Sequence, residues 1–467
     1  MRARPTSTAL LAAAALTAPL AAALTALPTA PLTAQEIAFT RHRLENGLTV
    51  IFHEDHRLPL VAVNLWYGVG SKDEPPGRSG FAHLFEHLMF MGTEKVPIGE
   101  FDARMERVGG HNNATTSEDR TNYFESGPRE LLDLFLFLEA DRMAGLAKAM
   151  DQEKLDVQRG VVRNERRQSY ENRPYGRMEL EIPAWIYPEG HPYRWPVIGS
   201  HEDLESATVA DVVGFFEQFY FPANASLVVA GDFDPHDARE LVDRYFAPLP
   251  KRAGVPRDPA PPALIDGTIR KTLRDGVRLP LVAFVWHSPA LYASGDADLD
   301  VLANVLGGGK SSRLWRSLVY EKKIAQQVDV HQQSRYLGGE FRIEVYGVPG
   351  DDAAARAKTL DEIERAVDAE LAELRRDGPT RREVERALNG IETSFQGQLE
   401  PLGQRADLLN QYQFHFDDPG AIAADLARYR EVTPQSVRDV GARVLDPARR
   451  LIVHVLPDES SAAGGER

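Results

Sequence analysis

The hexapeptide Arg57-Leu58-Pro59-Leu60-Val61-Ala62 recurs unchanged as Arg278-Leu279-Pro280-Leu281-Val282-Ala283, an offset of 221 residues. A turn signal precedes each copy, Leu44-Glu45-Asn46-Gly47 and Leu273-Arg274-Asp275-Gly276, because Asn-Gly and Asp-Gly favour tight turns. The far ends match as well. Thr208-Val209-Ala210-Asp211-Val212 before Pro222 pairs with Thr433-Pro434-Gln435-Ser436-Val437 before Pro447, an offset of 225. Each of these runs into an apolar strand, Leu227-Val228-Val229 or Leu451-Ile452-Val453. Ordered matches at both ends of one unit indicate duplication. Between the copies, six prolines in the fifteen residues 248–262 exclude a helix or central strand and read as a linker. The expected fold class is therefore α+β: two homologous domains in tandem, 35–247 and 269–457, joined by a Pro-rich linker, 248–268. Each would be a mostly antiparallel sheet packed by helices. One helix pair is predicted over 353–376 and 381–414, the second opened by the capping box Thr380-x-x-Glu383.

Charge and cysteine count narrow the chemistry. The 467 residues carry 54 Lys+Arg against 69 Asp+Glu, a formal charge of −15, which argues against a nucleic-acid partner. With no cysteine there is no disulfide, no thiol nucleophile and no Cys-based zinc site, so any metal must be held by His, Asp and Glu. Arg2 and Arg4 followed by an Ala/Leu-rich run to Leu27 read as a signal peptide over 1–34, with export to the periplasm or medium expected. Pro19 and the weak apolarity of alanine argue against a membrane anchor, and no later stretch reaches the ~18 apolar residues of a span. Residues 458–467 are expected to be a disordered tail.

The segment that carries chemistry is 79–92, predicted as a helix with Ser79 as N-cap and Gly92 as terminator. At helical spacing His83 and His87 lie about 40° apart, with Glu86 on their flank about 60° from His83. Leu84, Phe85 and Leu88 take the opposite side. This His-x-x-Glu-His order inverts His-Glu-x-x-His, and the logic is shared: two imidazoles ligate and the carboxylate works on bound water. The pattern arises by chance in roughly 3% of such chains, so a third ligand has to be found. A helix predicted over 151–172 puts Leu155, Gln158, Val162 and Glu165 on one face. A carboxylate on an apolar stripe is expected of a ligand, and Glu165 is the candidate.

These residues resemble the insulinase/pitrilysin zinc peptidases, relatives of the mitochondrial processing peptidase. The resemblance rests on His83-x-x-Glu86-His87, on Asn164-Glu165-Arg166-Arg167, on Asn113-Ala114-Thr115-Thr116-Ser117, and on Tyr220-Phe221-Pro222-Ala223-Asn224-Ala225. It implies a clamshell of which this chain is half, one Zn²⁺ per chain on His83, His87 and Glu165, and Glu86 as general base. It also implies that an extended or unfolded peptide adds to an edge strand at Asn113 and Ala114, although Asn112-Asn113 also reads as a polar turn after Gly109-Gly110. The family places a second Glu seven residues before the distal ligand, where this chain has Gln158.

The second half lacks the metal ligands, with Asn304 in register with His83. It also departs from the Arg and Tyr, seven apart, with which self-sufficient family members contact the substrate carbonyl. Those positions are Tyr320 and, after a deletion, Gln326. A heterodimer with a homologous subunit that keeps the Arg/Tyr pair is the expected partner arrangement. A homodimer using Tyr320 is the alternative. A non-catalytic peptide-binding scaffold of the same fold is the rival function, and the intact His83, Glu86 and His87 speak against it. Gly307-Gly308-Gly309-Lys310-Ser311-Ser312 resembles a phosphate loop, but Asn304 stands where the leading glycine belongs and a helix-like run precedes it. His53 and His56, at a charged strand end, are expected to be solvated.

Overall fold

The computed structural model describes residues 37–257, 259–350 and 352–458. The expected signal segment, and the expected tail beyond Asp458, lie outside the described residues. Among the described residues, six strands form one sheet: β1 (Thr40–Arg43), β2 (Thr49–Glu54), β3 (Leu60–Tyr67), β4 (His111–Thr116), β5 (Thr121–Pro128) and β6 (Ala225–Gly231), in the order β1-β2-β6-β3-β5-β4. Five form the other: β7 (Ile269–Asp275), β8 (Leu281–Ser288), β9 (Ala325–Gln333), β10 (Gly339–Gly347) and β11 (Leu451–Pro457), in the order β7-β11-β8-β10-β9. Without β1 the two orders superimpose strand for strand, including one parallel pair in each, β2 with β6 and β7 with β11. All other neighbours are antiparallel. The fold is α+β in two sheet-plus-helix halves.

The sequence echo marks equivalent places. Each hexapeptide starts a strand, β3 or β8, and its proline carbonyl accepts a backbone bond from the end of the neighbouring strand. Arg129 donates to Pro59 at 3.1 Å and Gly347 to Pro280 at 2.8 Å. Thr208 and Thr433 each close a capping box, on helices Val209–Phe219 and Pro434–Val444. No helix or strand interrupts the described residues of 248–268, the expected linker.

The central strands of each sheet are buried on both faces, and the second layer is exchanged. Val50, Phe52, Leu227 and Val229 face helices of their own half, while Ile51, Val228 and Ala230 face the other way. The latter meet Leu409 and Tyr412 of helix Leu402–Phe416, which comes from the second half. Reciprocally, Met178, Ile182 and Ile186 of helix Gly176–Ile186 cover Leu281, Ala283 and Val285 of the second sheet. The single helix expected over 381–414 is in fact two, Arg381–Gln398 and Leu402–Phe416. Pro401 breaks it, since proline removes an amide donor and its ring clashes with the preceding turn. That break redirects the chain across the first sheet.

A polar anchor fixes the crossing helix. Asp407 Oδ1 accepts from Trp66 Nε1 at 2.8 Å, Asn122 Nδ2 at 3.0 Å and Asn64 Nδ2 at 3.2 Å. Asp407→Ala strands three donors and is expected to cost about 3 kcal/mol. Denaturant unfolding reads this directly, and an unshifted midpoint would mean that the contact anchors nothing. His53 departs from expectation. It is buried, with Nδ1 2.7 Å from the Ala38 carbonyl and Nε2 3.1 Å from Arg405 Nε, because the exchanged helix covers it. His56 is exposed and pairs with Asp232 at 2.6 Å.

Candidate metal centre

The helix bearing both histidines spans Phe81–Leu88, shorter than expected at each end. Its N-cap is Gly80 at φ 87°, not Ser79. A side chain at Gly80 would meet the Gly199 backbone at 2.8 Å, so only glycine fits. The Ser79 hydroxyl instead donates to Asp203 Oδ2 at 2.5 Å. Capping falls to buried Glu74, whose carboxylate accepts from the amides of Gly80 at 3.0 Å and Ala82 at 2.8 Å. Phe81, Leu84, Phe85 and Leu88 are buried, which pins the rotation of the helix and presents the histidines to the other side.

The distal helix, Gln152–Arg166, starts at Asp151, whose carboxylate accepts from the Lys154 amide at 2.9 Å. It packs on the histidine helix, with Leu155 and Val162 buried beneath Gln158 and Glu165. A π-helical turn, Arg167–Glu171, follows directly, a distortion frequent at functional sites. Glu165 Oε2 lies 3.3 Å from His87 Nε2 and 3.7 Å from His83 Nε2. One ligand atom from each of the three residues lies within 4.8 Å of the others. A tetrahedral zinc with ligand bonds near 2.0–2.1 Å needs donors roughly 3.3 Å apart. The donor set fits.

Burial and the neighbouring His87 lower the His83 pKa to about 4, which leaves a neutral imidazole ready to ligate, and its buried Nδ1 has no partner among the described residues. Burial alone would depress His87 too, but Glu165 and Glu86 outweigh it and the pKa is raised. The hydrogen bond with His87 holds Glu165 ionised, below its ordinary range. Gln158 also stands against His87 as a hydrogen-bond partner, and its amide nitrogen lies 2.8 Å from Met91 Sδ. A neutral acceptor thus occupies the place of the missing carboxylate.

Glu86 stays outside the triad. Its Oε2 accepts from Thr116 Oγ1 at 2.5 Å, and burial raises its pKa against that bond and against His87. His83, Glu86 and Glu165 open on a cavity of about 550 Å³. Ala114, buried on β4, lines it, whereas Asn113 is exposed and does not. The segment is a strand, paired with β5 and at the sheet edge, and not the polar turn. Tyr320, half-exposed on the π turn Trp315–Glu321, and Gln326, exposed on β9, line no part of this cavity.

The sequence reading gave several wall residues no role in the site. Tyr193 lines the cavity and donates to Asp119 at 2.6 Å. Arg335 and Arg342 reach it from the second half. Arg335 pairs with Glu118 at 2.7 Å and Glu340 at 2.9 Å, and Arg342 with Glu340 and Glu179, each at 2.7 Å. Burial would raise Glu340, yet the two guanidiniums hold it at about 2. The alternation Glu340, Arg342, Glu344 on a strand of Phe341, Ile343 and Val345 was the readable signal of a charged inner face.

Two α+β halves with an imidazole pair on one helix and a carboxylate on the next define the class: a duplicated fold with one group of side chains that could hold a metal. Comparison with known proteins fixes the family. Residues 49–190 match the model of the insulinase family, peptidase family M16, and residues 206–391 that of the peptidase M16 inactive domain. Zinc protease PqqE of Helicobacter pylori is 31% identical over 383 residues, covering 81% of this chain and 84% of that protein. The uncharacterized zinc protease YmxG of Bacillus subtilis is 27% identical over 77% of this chain and 84% of its own. The crystal structure of a protease from Helicobacter pylori superimposes with a TM-score of 0.83 at 28% identity, covering 90% of this chain and 100% of that one. A Pseudomonas fluorescens structure of a peptidase M16 inactive domain shares the fold, with a TM-score of 0.78 at 18% identity over 90% and 98% of the two chains. The chain belongs to the insulinase family of peptidases, M16.

Proposed function

We propose that this chain is a zinc-dependent endopeptidase, or the zinc-bearing subunit of one, acting on extended or unfolded peptides. The observation that carries it is Glu86, set beside the two histidines in the cavity wall yet outside the triad. His83, His87 and Glu165 would hold one Zn²⁺, which when bound would supply Lewis-acid chemistry, lowering the pKa of a water toward ~7 and polarising the scissile carbonyl. Glu86, oriented by Thr116, is the general base that takes a proton from the attacking water and gives it to the leaving amine. The outer edge of β4, paired with no strand among the described residues, receives the peptide main chain near Ala114, with Asn113 beside it. The domain bounds 35–247 and 269–457 carry the two roles, metal-bearing and metal-free, and Asn304 sits where a histidine would be needed.

Tyr320 and Gln326 leave the substrate carbonyl without its Arg/Tyr donors inside one chain. We infer a homologous partner subunit that supplies them, with the homodimer as the alternative. Missing oxyanion donors cost ~10²–10³ in rate. The zinc-loaded chain alone should therefore cleave a fluorogenic unfolded peptide slowly, and adding a homologous subunit with the pair should raise the rate by about that factor. Full activity of the isolated chain, unchanged by the companion, sinks the heterodimer. No cleavage under either condition, with zinc bound, favours the scaffold reading instead. Residues 1–34 direct export, and no helix among the described residues is long and apolar enough to cross a membrane. N-terminal sequencing of the exported protein would find the cut after Ala34.

A further inference from the structure

The second half carries a cavity of about 620 Å³ that shares no lining residue with the metal centre. Arg313 and Arg316 come from the segment after helix Asp296–Gly307, and Arg382 and Arg386 from the first turns of helix Arg381–Gln398. Glu373 and Glu383 complete the charged lining. Four guanidiniums against two carboxylates give a local charge of +2 in a chain of −15.

The hydrogen bonding of this cluster is incomplete. Glu383 is committed: it accepts from Arg313 Nε at 2.7 Å and Nη2 at 2.8 Å, and from the Thr380 amide at 2.7 Å. Arg313 is only 7% exposed, yet its Nη1 has no partner among the described residues. Arg386 has no carboxylate partner among them. Its Nη1 reaches the Ser311 carbonyl at 3.3 Å, while Nε and Nη2 are buried and, among the described residues, unpaired. Arg316 meets only Glu321, at 3.7 Å, and exposed Arg382 has no carboxylate at all among the described residues. Buried unpaired donors are costly, and a recurrent reason for them is an ion that completes the network.

The Gly307–Ser312 segment does not supply the affinity through its backbone. The Gly308 amide bonds Asn304 at 2.8 Å, Gly309 bonds Gly307 at 2.7 Å and Ser312 bonds Gly309 at 3.0 Å, so these amides face inward. The recognition chemistry is therefore side-chain guanidinium, which matches phosphate and carboxylate oxygens with paired donors. Forks on two opposed elements, around a space much larger than one phosphate, call for an ion with more than one charged group.

We propose that this cavity binds a small multiply charged oxyanion, bearing at least two phosphate or carboxylate groups, held by Arg382 and Arg386 opposite Arg313 and Arg316. The test is calorimetric titration of the full chain, in physiological salt, with pyrophosphate, citrate and orthophosphate. Pyrophosphate or citrate should bind saturably with one site per chain, and the tighter of the two identifies phosphate or carboxylate as the natural group. Orthophosphate should bind at least about tenfold more weakly, and Arg382→Gln and Arg386→Gln should each weaken the tighter ligand about tenfold. Arg382 is exposed, so its variant tests the site without disturbing folding. The His83→Ala, His87→Ala double variant should bind as the parent does, which separates this site from the metal centre. The proposal is overturned by absence of saturable binding, by binding indifferent to Arg382→Gln, by loss of binding in the histidine variant, or by orthophosphate binding as tightly as either larger ion.

Discussion

Glu86→Gln is expected to retain zinc and lose about 10³ in kcat. Glutamine has nearly the same shape, and its carbonyl can still accept the 2.5 Å bond from Thr116, so the side chain should stay where Glu86 stands. What disappears is the capacity to take a proton. The metal donors are untouched, because the convergent atoms belong to His83, His87 and Glu165. Two measurements on one preparation decide it: zinc content and peptide turnover. If Glu86→Gln sheds the metal and Glu165→Gln keeps it, the base and the ligand have been exchanged in this reading.

The duplication was legible because it left identical residues at equivalent strand starts and helix caps, and the structure turns it into two sheets of matching strand order. Glu165 was legible for a related reason: a carboxylate on the Leu155–Val162 stripe stands out against helical periodicity. Ser79 misled because a serine before a helix is a frequent N-cap, while the actual cap, Glu74, acts from a loop six residues ahead of the first amide it bonds. Pro401 was visible and should have ended the helix predicted over 381–414. The exchange of helices Gly176–Ile186 and Leu402–Phe416 had no sequence signal. Periodicity reports that a face is apolar and is silent on which sheet it covers. The same limit hid Arg335 and the parts that Thr116 and Tyr193 take in the wall, which depend on contacts across the fold. His53 belongs with them, since it is buried only by the exchanged helix.

Alanine at both His83 and His87 is expected to reduce bound zinc from about one per chain to none detectable, with peptide cleavage falling to background. Structural zinc sites hold their metal with roughly 10–16 kcal/mol, so each lost ligand of a three-residue set removes about 3–5 kcal/mol, or roughly 10³ in affinity. Glu165→Gln should sit between the parent and the double variant, because a neutral amide oxygen is a weaker donor than a carboxylate. The fold should survive all three changes. His83, His87 and Glu165 are each only partly buried, and the helix that carries the histidines is held by Phe81, Leu84, Phe85 and Leu88 on its opposite side. A thermal melt of each metal-free variant, run beside the chelated parent, therefore separates lost ligation from lost structure. Matching melts with absent zinc assign the metal to these side chains. Undiminished zinc in the double histidine variant would remove the metal from this helix altogether, and with it the role given to Glu86.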